Sequence, residues 1–274
     1  MPRFILAFLS LIIILSFSNC RSGLVTTTNS CYKAIQAGKA DNAAGNYNDA
    51  VTQFDNVLKQ CDAYDAKEQA YAGKAAAYNG LKQYSAALDA ANAGLKIKSS
   101  SLDNLFEKAN AELGLNMDAD AKGDLAKIAD LTAQNRNVSE RATIYAKMAS
   151  IDSRNGMYDD ALNNVASAIS LDSKNADLYI LQGDIYTAMN NYTSAQTSYD
   201  NALANGAATS KVWQAKIESE IISLQTKYGT QDAQQMANKI SSNDKTLLCA
   251  DILKAKSNNV KNINIDLLQA AVCK

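Results

Sequence analysis

The sequence predicts an all-α solenoid of stacked antiparallel helix hairpins, closed by a helical cap at its C-terminal end. The main observation is an alanine that returns at intervals of 37, 34, 40 and 34 residues, at Ala50, Ala87, Ala121, Ala161 and Ala195. A tyrosine stands three residues before four of these alanines. A period near 34 residues is typical of helix hairpins that stabilise one another through neighbour packing. The only proline is Pro2, so no proline interrupts a helix further along the chain.

Five segments of 34 residues follow from this marker alanine: 31–64, 68–101, 102–135, 142–175 and 176–209. Twelve residues before the marker stands a small residue, which lets two helices approach closely: Gly38, Ala75, Ala109, Ala149 or Gly183. Short insertions at 65–67 and 136–141 separate the segments. We predict that any bend of the solenoid, or change in its curvature, falls at these two joints.

This pattern resembles the tetratricopeptide repeat. The clearest copies begin at Tyr145 and Tyr179, with the sequences YAKMASIDSRNGMYDDALNNVASAISLDSKN and YILQGDIYTAMNNYTSAQTSYDNALANG. The third segment departs most, with Asp118 in place of the tyrosine, and the proline that ends the repeats of this family is missing throughout. The resemblance covers about two thirds of the chain. It implies two antiparallel helices per repeat, stacked into a right-handed superhelix.

The resemblance also implies a concave groove, lined by the first helix of each repeat at its second, fifth, ninth and twelfth positions. The eight groove residues that we single out are Tyr32, Ile35, Lys39, Asn42, Phe106, Asn110, Ile180 and Asp184. The other positions hold mainly small or polar residues, among them Gln69, Ala72, Ala76, Asn79, Asp103, Leu113, Thr143 and Thr187. Such a groove suits an extended or helical protein segment. For Phe106 and Ile180, packing against a neighbouring repeat is an equally good interpretation.

The first twenty residues have the features of a secretory signal. Arg3 precedes an almost wholly apolar stretch at 4–17, and small or polar residues lead to Cys20. The residues before Cys20 resemble a relaxed bacterial lipobox, which implies a cleaved signal peptide at 1–19 and a lipidated Cys20. Ordinary cleavage nearby and an uncleaved anchor are the alternatives. We expect a flexible tether at 20–30, and a lipid-anchored protein of the bacterial cell envelope, on the periplasmic side of the outer membrane.

The four remaining cysteines suit an oxidising compartment. An antiparallel hairpin brings Cys31 and Cys61 to the same end, and Cys249 and Cys273 flank the last predicted hairpin. These positions favour disulfides 31–61 and 249–273, with buried reduced thiols as the alternative. Each bridge would contribute about 3 to 4 kcal/mol by restricting the unfolded chain.

The sequence predicts that residues 210–274 form a helical cap. Trp213, Ile217, Ile221 and Leu224 are spaced as on one amphipathic helix over 210–227, and three shorter helices follow at 231–240, 245–256 and 265–272. Trp213 takes the place of the first aromatic residue of a further repeat. We therefore expect this helix to cover the exposed end of repeat five, and Trp213 to pack under the cap rather than to serve as a platform for a ligand.

The composition argues against catalysis. The chain has no histidine, which removes the usual nucleophile pairs and every histidine-based metal site. Asp118, Asp120 and Gly123 imitate the start of a calcium loop, but Lys122 stands where a ligand oxygen belongs. A formal net charge of −1 gives no sign of a nucleic-acid partner. We expect a scaffold without enzymatic activity, cofactor or metal that docks a protein segment. The alternative is a subunit that holds a small solute between groove and cap and presents it to a transporter.

Overall fold

A computed structural model describes residues 28–134 and 137–273. These residues form fourteen α-helices and contain no β-strand. The expected signal peptide, Cys20 and most of the expected tether lie outside the described residues. None of the described helices is both long enough and apolar enough to cross a membrane.

Ten helices form five hairpins, each named by its two members: α1 Asn29–Ala44 and α2 Tyr47–Gln60, α3 Tyr64–Gly80 and α4 Tyr84–Ile97, α5 Leu102–Gly114 and α6 Asp118–Leu131, α7 Val138–Arg154 and α8 Tyr158–Leu171, α9 Ala176–Ala188 and α10 Tyr192–Ala204. Four further helices form the cap: α11 Thr209–Tyr228, α12 Ala233–Lys239, α13 Ser242–Ser257 and α14 Ile263–Val272. The all-α solenoid predicted from the repeat period is thus the observed architecture.

Each hairpin turns at a residue with left-handed backbone geometry: Gly45, Lys82, Asn116, Gly156 or Asn190. Glycine and asparagine adopt this geometry most easily, so they reverse the chain within two or three residues. The second helix then begins at once. In four hairpins its first residue is the recurring tyrosine, and in the third it is Asp118.

The marker alanines explain why the period is kept. Ala50, Ala87, Ala121, Ala161 and Ala195 are all fully buried where the two helices of a hairpin meet. The ring of Phe54, also fully buried, passes between Gly38 of α1 and Gly73 of α3. A Cβ atom added at Gly73 would lie 2.2 Å from the ring. Small residues are therefore required wherever a neighbouring repeat inserts a large side chain.

The recurring tyrosine connects one repeat to the next. Tyr47 packs on Gly80 at the end of α3, and Tyr84 packs on Gly114 at the end of α5, so closely that a Cβ atom at either glycine would lie 2.4 Å or less from the ring. Position 154 is the equivalent of these glycines in repeat four, and an arginine stands there. Its guanidinium and the Asn155 amide both donate to Asp118, the residue that replaces the tyrosine. An ion pair thus takes the place of an apolar contact between repeats three and four.

The two insertions turn out to be helical. Residues 65–67 lie in the first turn of α3 and residues 138–141 in the first turn of α7, so these helices have 17 residues where α5 and α9 have 13. Repeats two and four accordingly begin at Tyr64 and Val138, earlier than the sequence period predicts. Asn29 and Ser30, which we expected in the tether, belong to α1.

The stacking of first helices changes at only one of the two joints. Helix α3 packs beside both α1 and α5, but no Cα atom of α5 lies within 8 Å of one in α7. The joint at 136–141 therefore coincides with a gap between neighbouring first helices. The joint at 65–67 has no such gap. The gap at 136–141 thus falls at one of the two joints where we expected any bend to lie.

Two disulfides fasten the ends of the described chain. Cys31 is bonded to Cys61 across the first hairpin, and Cys249 to Cys273 across α13 and α14, with Cα separations of 6.0 and 5.6 Å. The cap has its own apolar core, in which Ile217, Leu248 and Ile252 are fully buried. Trp213 packs against this core, with the ammonium groups of Lys216 and Lys254 5.3 and 5.7 Å from its ring centre.

Candidate binding groove

The gap between α5 and α7 opens a crevice of about 420 Å³ on the side of the first helices. Its apolar lining comes from Phe106 and Leu102 of α5, Ile128 of α6, Ile144 of α7 and small residues of α3. Its polar rim consists of Lys39, Asn42, Gln69, Asp103, Glu107, Thr132, Glu140 and Thr143. We name this space the central crevice. A volume of this size admits one or two large side chains of a partner.

Side-chain amides fix the helices on one side of the central crevice. The Asn42 amide donates to the Gly73 carbonyl oxygen at 2.8 Å, and the Asn79 amide donates to the Glu107 carbonyl oxygen at 2.9 Å. These bonds tie α1 to α3 and α3 to α5. The equivalent residue of α5 is Leu113, which has no amide to offer to α7. The series of bonds thus ends where the gap begins.

Lys147 of α7 is the main side-chain bridge across the gap. Its ammonium donates to the Asn110 Oδ1 atom at 2.9 Å and lies 5.0 Å from the centre of the Phe106 ring. Burial lowers the pKa of Lys147, and the nearby Glu107 carboxylate raises it in part. The Asn110 amide stands between the two charges, since it donates to Glu107 at 3.3 Å.

The rim of the central crevice carries more negative than positive charge. Asp103, Glu107 and Glu140 contribute carboxylates, and Lys39 is the ammonium on the opposite side, where it donates to Gln69 at 3.2 Å. Beyond Thr143 the crevice adjoins a second recess of about 410 Å³, lined by Lys147, Arg154 and apolar or hydroxyl side chains. We name it the cationic recess, because none of its lining residues is acidic.

A third recess of about 390 Å³ lies where α9 meets the cap helix α11. Asp184 there accepts a hydrogen bond of 2.9 Å from the Tyr199 hydroxyl, and burial raises the pKa of the Asp184 carboxyl. Thr187 donates to Ser219 of α11 at 2.8 Å, which ties the last repeat to the cap. We name this space the cap recess.

The structure separates the sequence-predicted groove residues into several groups. Lys39, Asn42 and Phe106 line the central crevice, Asn110 holds Lys147 beside it, and Ile180 and Asp184 line the cap recess. Tyr32 is 56% exposed in the first turn of α1 and does not line the crevice. Ile35 is 1% exposed and packs in the core of the first hairpin, so its assignment to the groove is wrong.

Three important lining residues were missed in the sequence. Ile128 lies in a second helix, α6, and Thr132 directly follows this helix; both reach the crevice because α7 stands away from α5. Lys147 occupies the sixth position of its repeat, beside the fifth position that the family pattern assigns to the groove.

Neither a protein-family model nor a curated protein sequence matches this chain. Solved structures do. PilF from Pseudomonas aeruginosa is 14% identical, with 88% of this chain and 97% of that chain covered and a TM-score of 0.63. A tetratricopeptide repeat protein from Parabacteroides merdae is 11% identical, with 90% and 100% covered and a TM-score of 0.59.

YrrB, described as a tetratricopeptide repeat protein with an unusual peptide-binding site, is 18% identical, with 67% and 90% covered and a TM-score of 0.52. At such low identities the likeness is one of fold. Together with the five hairpins and their shared period, it establishes that this chain has the tetratricopeptide-repeat fold.

Proposed function

We propose that this protein is a non-enzymatic interaction scaffold that docks a segment of a partner protein in the central crevice. The observation that carries the proposal is the crevice itself, in which the Phe106 ring, Ile128 and Ile144 form an apolar floor beneath a polar rim. A segment can seat apolar side chains on this floor and direct its backbone and polar groups to the rim. The likeness in fold to YrrB, which is described as having an unusual peptide-binding site, supports the same mode of binding.

The rigidity of the hairpins favours docking with little rearrangement. Helices α1, α3 and α5 pack side by side and are tied by the Asn42 and Asn79 amides. A preformed wall reduces the entropy that binding costs, so a short segment can bind specifically. The absence of histidine from the sequence and the lack of a distinguished nucleophile support a role without catalysis.

The experiment that tests this function is site-specific photocrosslinking. A photoreactive phenylalanine analogue at Thr143, on the rim of the crevice, is expected to capture a discrete partner in the native host. The same analogue at Ala166, exposed on α8, is the matched control. Phe106→Asp should abolish the Thr143 crosslink without unfolding the protein, as checked by circular dichroism. Equal crosslinks from both positions, or a crosslink unaffected by Phe106→Asp, would argue against docking in the crevice.

We also propose attachment to a bacterial envelope membrane, on the periplasmic side of the outer membrane, through a lipid on Cys20. The apolar stretch at 4–17 ahead of Cys20 supports a cleaved signal, and two disulfides suit an oxidising compartment. Labelling cells with an alkyne fatty acid tests the anchor. Label on the wild-type protein that is lost in Cys20→Ala is expected, together with release of the variant from the membrane fraction. Membrane retention of an unlabelled wild-type protein would contradict lipidation.

The cap recess supports a second candidate function, in which a small solute is held there and passed to a transporter. Its volume of about 390 Å³ and its mixture of Asp184, Lys211 and Glu218 with apolar side chains are typical of solute sites. Native mass spectrometry of protein purified from its host tests this candidate. A bound small molecule that disappears in Ile180→Asp supports it, and protein free of added mass in repeated preparations counts against it.

A further inference from the structure

Lys147 is a half-buried ammonium without an ionic partner in the described part of the chain. Its hydrogen-bond acceptor is the neutral Asn110 amide, and its closest aromatic neighbour is the Phe106 ring. Other half-buried lysines, by contrast, form salt bridges: Lys67, Lys74, Lys108, Lys122 and Lys216 pair with Asp62, Asp55, Glu112 and Asp124, Asp152, and Asp200 respectively. The setting of Lys147 is therefore unlike that of its counterparts.

The nearest carboxylate does not neutralise Lys147. Glu107 accepts hydrogen bonds at its Oε2 atom from Asn79 at 2.8 Å and from Asn110 at 3.3 Å, and it forms no ion pair with Lys147 among the contacts of the described residues. Burial outweighs the field of Glu107 and lowers the pKa of Lys147. An ammonium that has lost water without gaining a counterion destabilises the free protein, and a ligand that supplies a carboxylate relieves this cost.

The position of Lys147 connects the two spaces described above. Its side chain lines the cationic recess, and its ammonium lies over Phe106, which lines the central crevice. Thr143 lines both spaces. Arg154, the other cation of the recess, already forms an ion pair with Asp118. A carboxylate that enters the recess beside Thr143 therefore meets Lys147 as its available partner.

We propose that the docked segment is a peptide that places an acidic side chain against the Lys147 ammonium and an apolar side chain in the central crevice beside Phe106. This inference rests on the proposed docking function and names the chemistry of the partner. The two subsites are adjacent, with 5.0 Å between the ammonium and the ring centre. Side chains three or four residues apart on a helix, or two apart on an extended strand, are separated by about 5 to 7 Å. The acidic and the apolar residue of the partner therefore lie two to four positions apart.

A display library of random 16-residue peptides is the probe for this proposal. Selection on the folded, disulfide-bonded protein is expected to enrich peptides in which Asp or Glu lies two to four residues from Leu, Ile, Phe or Met. Fluorescence polarisation then measures the affinity of one enriched peptide and of its counterpart with Glu→Gln or Asp→Asn. The neutral counterpart should bind about tenfold more weakly, the usual effect of removing one partner of a charge pair.

Substitutions at Lys147 complete a double-mutant cycle between this lysine and the acidic residue of the peptide. Lys147→Gln should weaken binding of the acidic peptide about tenfold and leave binding of the neutral peptide within about twofold of wild type. Lys147→Arg keeps the charge and should retain most of the affinity. Lys174→Gln, an exposed lysine between α8 and α9, is the matched control and should change neither affinity. Circular dichroism and thermal unfolding confirm that each variant is folded.

The outcomes separate this inference from the docking function. Peptides that bind in the crevice, as shown by loss of binding in Phe106→Asp, but that carry no acidic residue would overturn the role of Lys147 and leave docking intact. Equal losses for the acidic and the neutral peptide in Lys147→Gln would overturn it as well. Three outcomes would overturn both proposals. The enriched peptides could bind Phe106→Asp as tightly as wild type, an alkyl carboxylic acid could displace them with an affinity equal to theirs, or no peptide could be enriched at all.

Discussion

At the scale of single residues, Lys147 shows how a half-buried charge without a counterion can reduce the stability of the protein that carries it. The ammonium is half-buried and has the Asn110 amide and the Phe106 ring as its main neighbours. Methionine has a similar length and fills the same space without a charge. Sites with such unrelieved costs are typical of binding surfaces, because selection for a partner opposes selection for stability.

We predict that Lys147→Met raises the free energy of unfolding at pH 7 by on the order of 1 kcal/mol. Because burial lowers the pKa of Lys147 in the folded state, the unfolded chain binds more protons between that pKa and 10.5. The charged side chain therefore destabilises fully below the folded pKa, and its cost is lost as pH rises towards 10.5. Urea unfolding at pH 7 and pH 10 should show the advantage of the variant shrinking at the higher pH. A variant less stable than wild type at pH 7 would contradict this account.

Glu220 of α11 gives a second prediction that depends on pH. Burial, and then the neighbouring Asp251 carboxylate of α13, raise the pKa of Glu220 to about 7. Asp244 acts in the same direction and Lys216 in the opposite one. The folded protein thus holds a proton that the unfolded chain releases near pH 4.5, so this group costs stability progressively from about pH 4.5 to pH 7.

Replacing Glu220 by glutamine should remove that cost. We expect Glu220→Gln to raise the free energy of unfolding of the cap at pH 8 by on the order of 2 kcal/mol and to have little effect at pH 4.5. Thermal unfolding at both pH values measures the difference. Glu140→Gln, an exposed glutamate in the first turn of α7, is the control and should show no comparable pH dependence. Equal effects of Glu220→Gln at the two pH values would contradict the raised pKa.

At the scale of helices, small residues are required where Phe54 inserts between repeats. A Cβ atom at Gly73 would lie 2.2 Å from the ring, and one at Gly123 in the middle of α6 would meet nothing within 4 Å. Gly73→Ala should destabilise the protein by about 2 to 3 kcal/mol through overpacking. Gly123→Ala should stabilise it by about 0.5 to 1 kcal/mol, because alanine favours the helix. Denaturant unfolding of the pair compares the two effects, and a stabilising Gly73→Ala would show that the ring is free to move.

At the scale of the whole molecule, the joint between repeats three and four differs from the others. Tyr47 and Tyr84 pack on glycines of the next repeat, whereas Asp118 pairs with Arg154. The buried Asp152 carboxylate of α7 adds a bond of 2.5 Å from Lys122 of α6 and one of 2.8 Å from Asn164 of α8. At this joint the ion pairs Asp118–Arg154 and Lys122–Asp152 lie beside an apolar core shared by α5, α6 and α7, and the central crevice lies where α5 and α7 do not meet.

This difference predicts an energetic coupling between positions 118 and 154. Asp118→Tyr alone should destabilise the protein, because the ring meets Arg154, and Arg154→Gly alone should do so by leaving Asp118 unpaired. The double variant reproduces the contact of the other joints, and we expect it to recover about 1 to 2 kcal/mol relative to the sum of the single changes. Thermal unfolding measures the cycle. If the double variant changed the free energy of unfolding by the sum of the two single changes, positions 118 and 154 would not be coupled.

The disulfides act at the ends of the solenoid. Among the described residues, helices α1 and α2 have a neighbouring repeat on one side, so the Cys31–Cys61 bridge compensates for contacts that internal repeats make on both sides. Replacing both of these cysteines by serine should lower the free energy of unfolding by about 3 to 4 kcal/mol. Hydrogen exchange is expected to locate the loss in α1 and α2. Exchange that rises equally in all five hairpins would contradict an effect confined to the end.

Much of this fold could be predicted from the sequence, because the residues that pack the helices together recur at the same positions of each repeat. The buried alanines, the small residue opposite them and the apolar side chain four residues later each recur where helices touch. The cysteines flank hairpins, and the disulfides join the pairs that this placement favours. Helix starts were predicted less well, since residues 65–67 and 138–141, which we placed between repeats, lie in the first turns of α3 and α7.

The site could be predicted only in part. Phe106, Lys39 and Asn42 follow from the repeat register, because first helices line the inner side of such a solenoid. Ile35 has the same register but is buried by the first hairpin. Lys147, Ile128 and Thr132 do not follow from register, since their place beside the crevice or the cationic recess depends on the distance between α5 and α7, which are far apart in the sequence.

The sequence by itself therefore determined the kind of protein: hairpins of a fixed period, spaced by small residues, with cysteines placed to close both ends. Only the tertiary structure decided where the central crevice lies. The reason is that local pattern sets which face of each helix is buried, whereas a crevice arises from the fit between neighbouring repeats. Here that fit changes where Leu113 replaces an asparagine and Asp118 replaces a tyrosine, and the ammonium of Lys147 lies in the resulting gap.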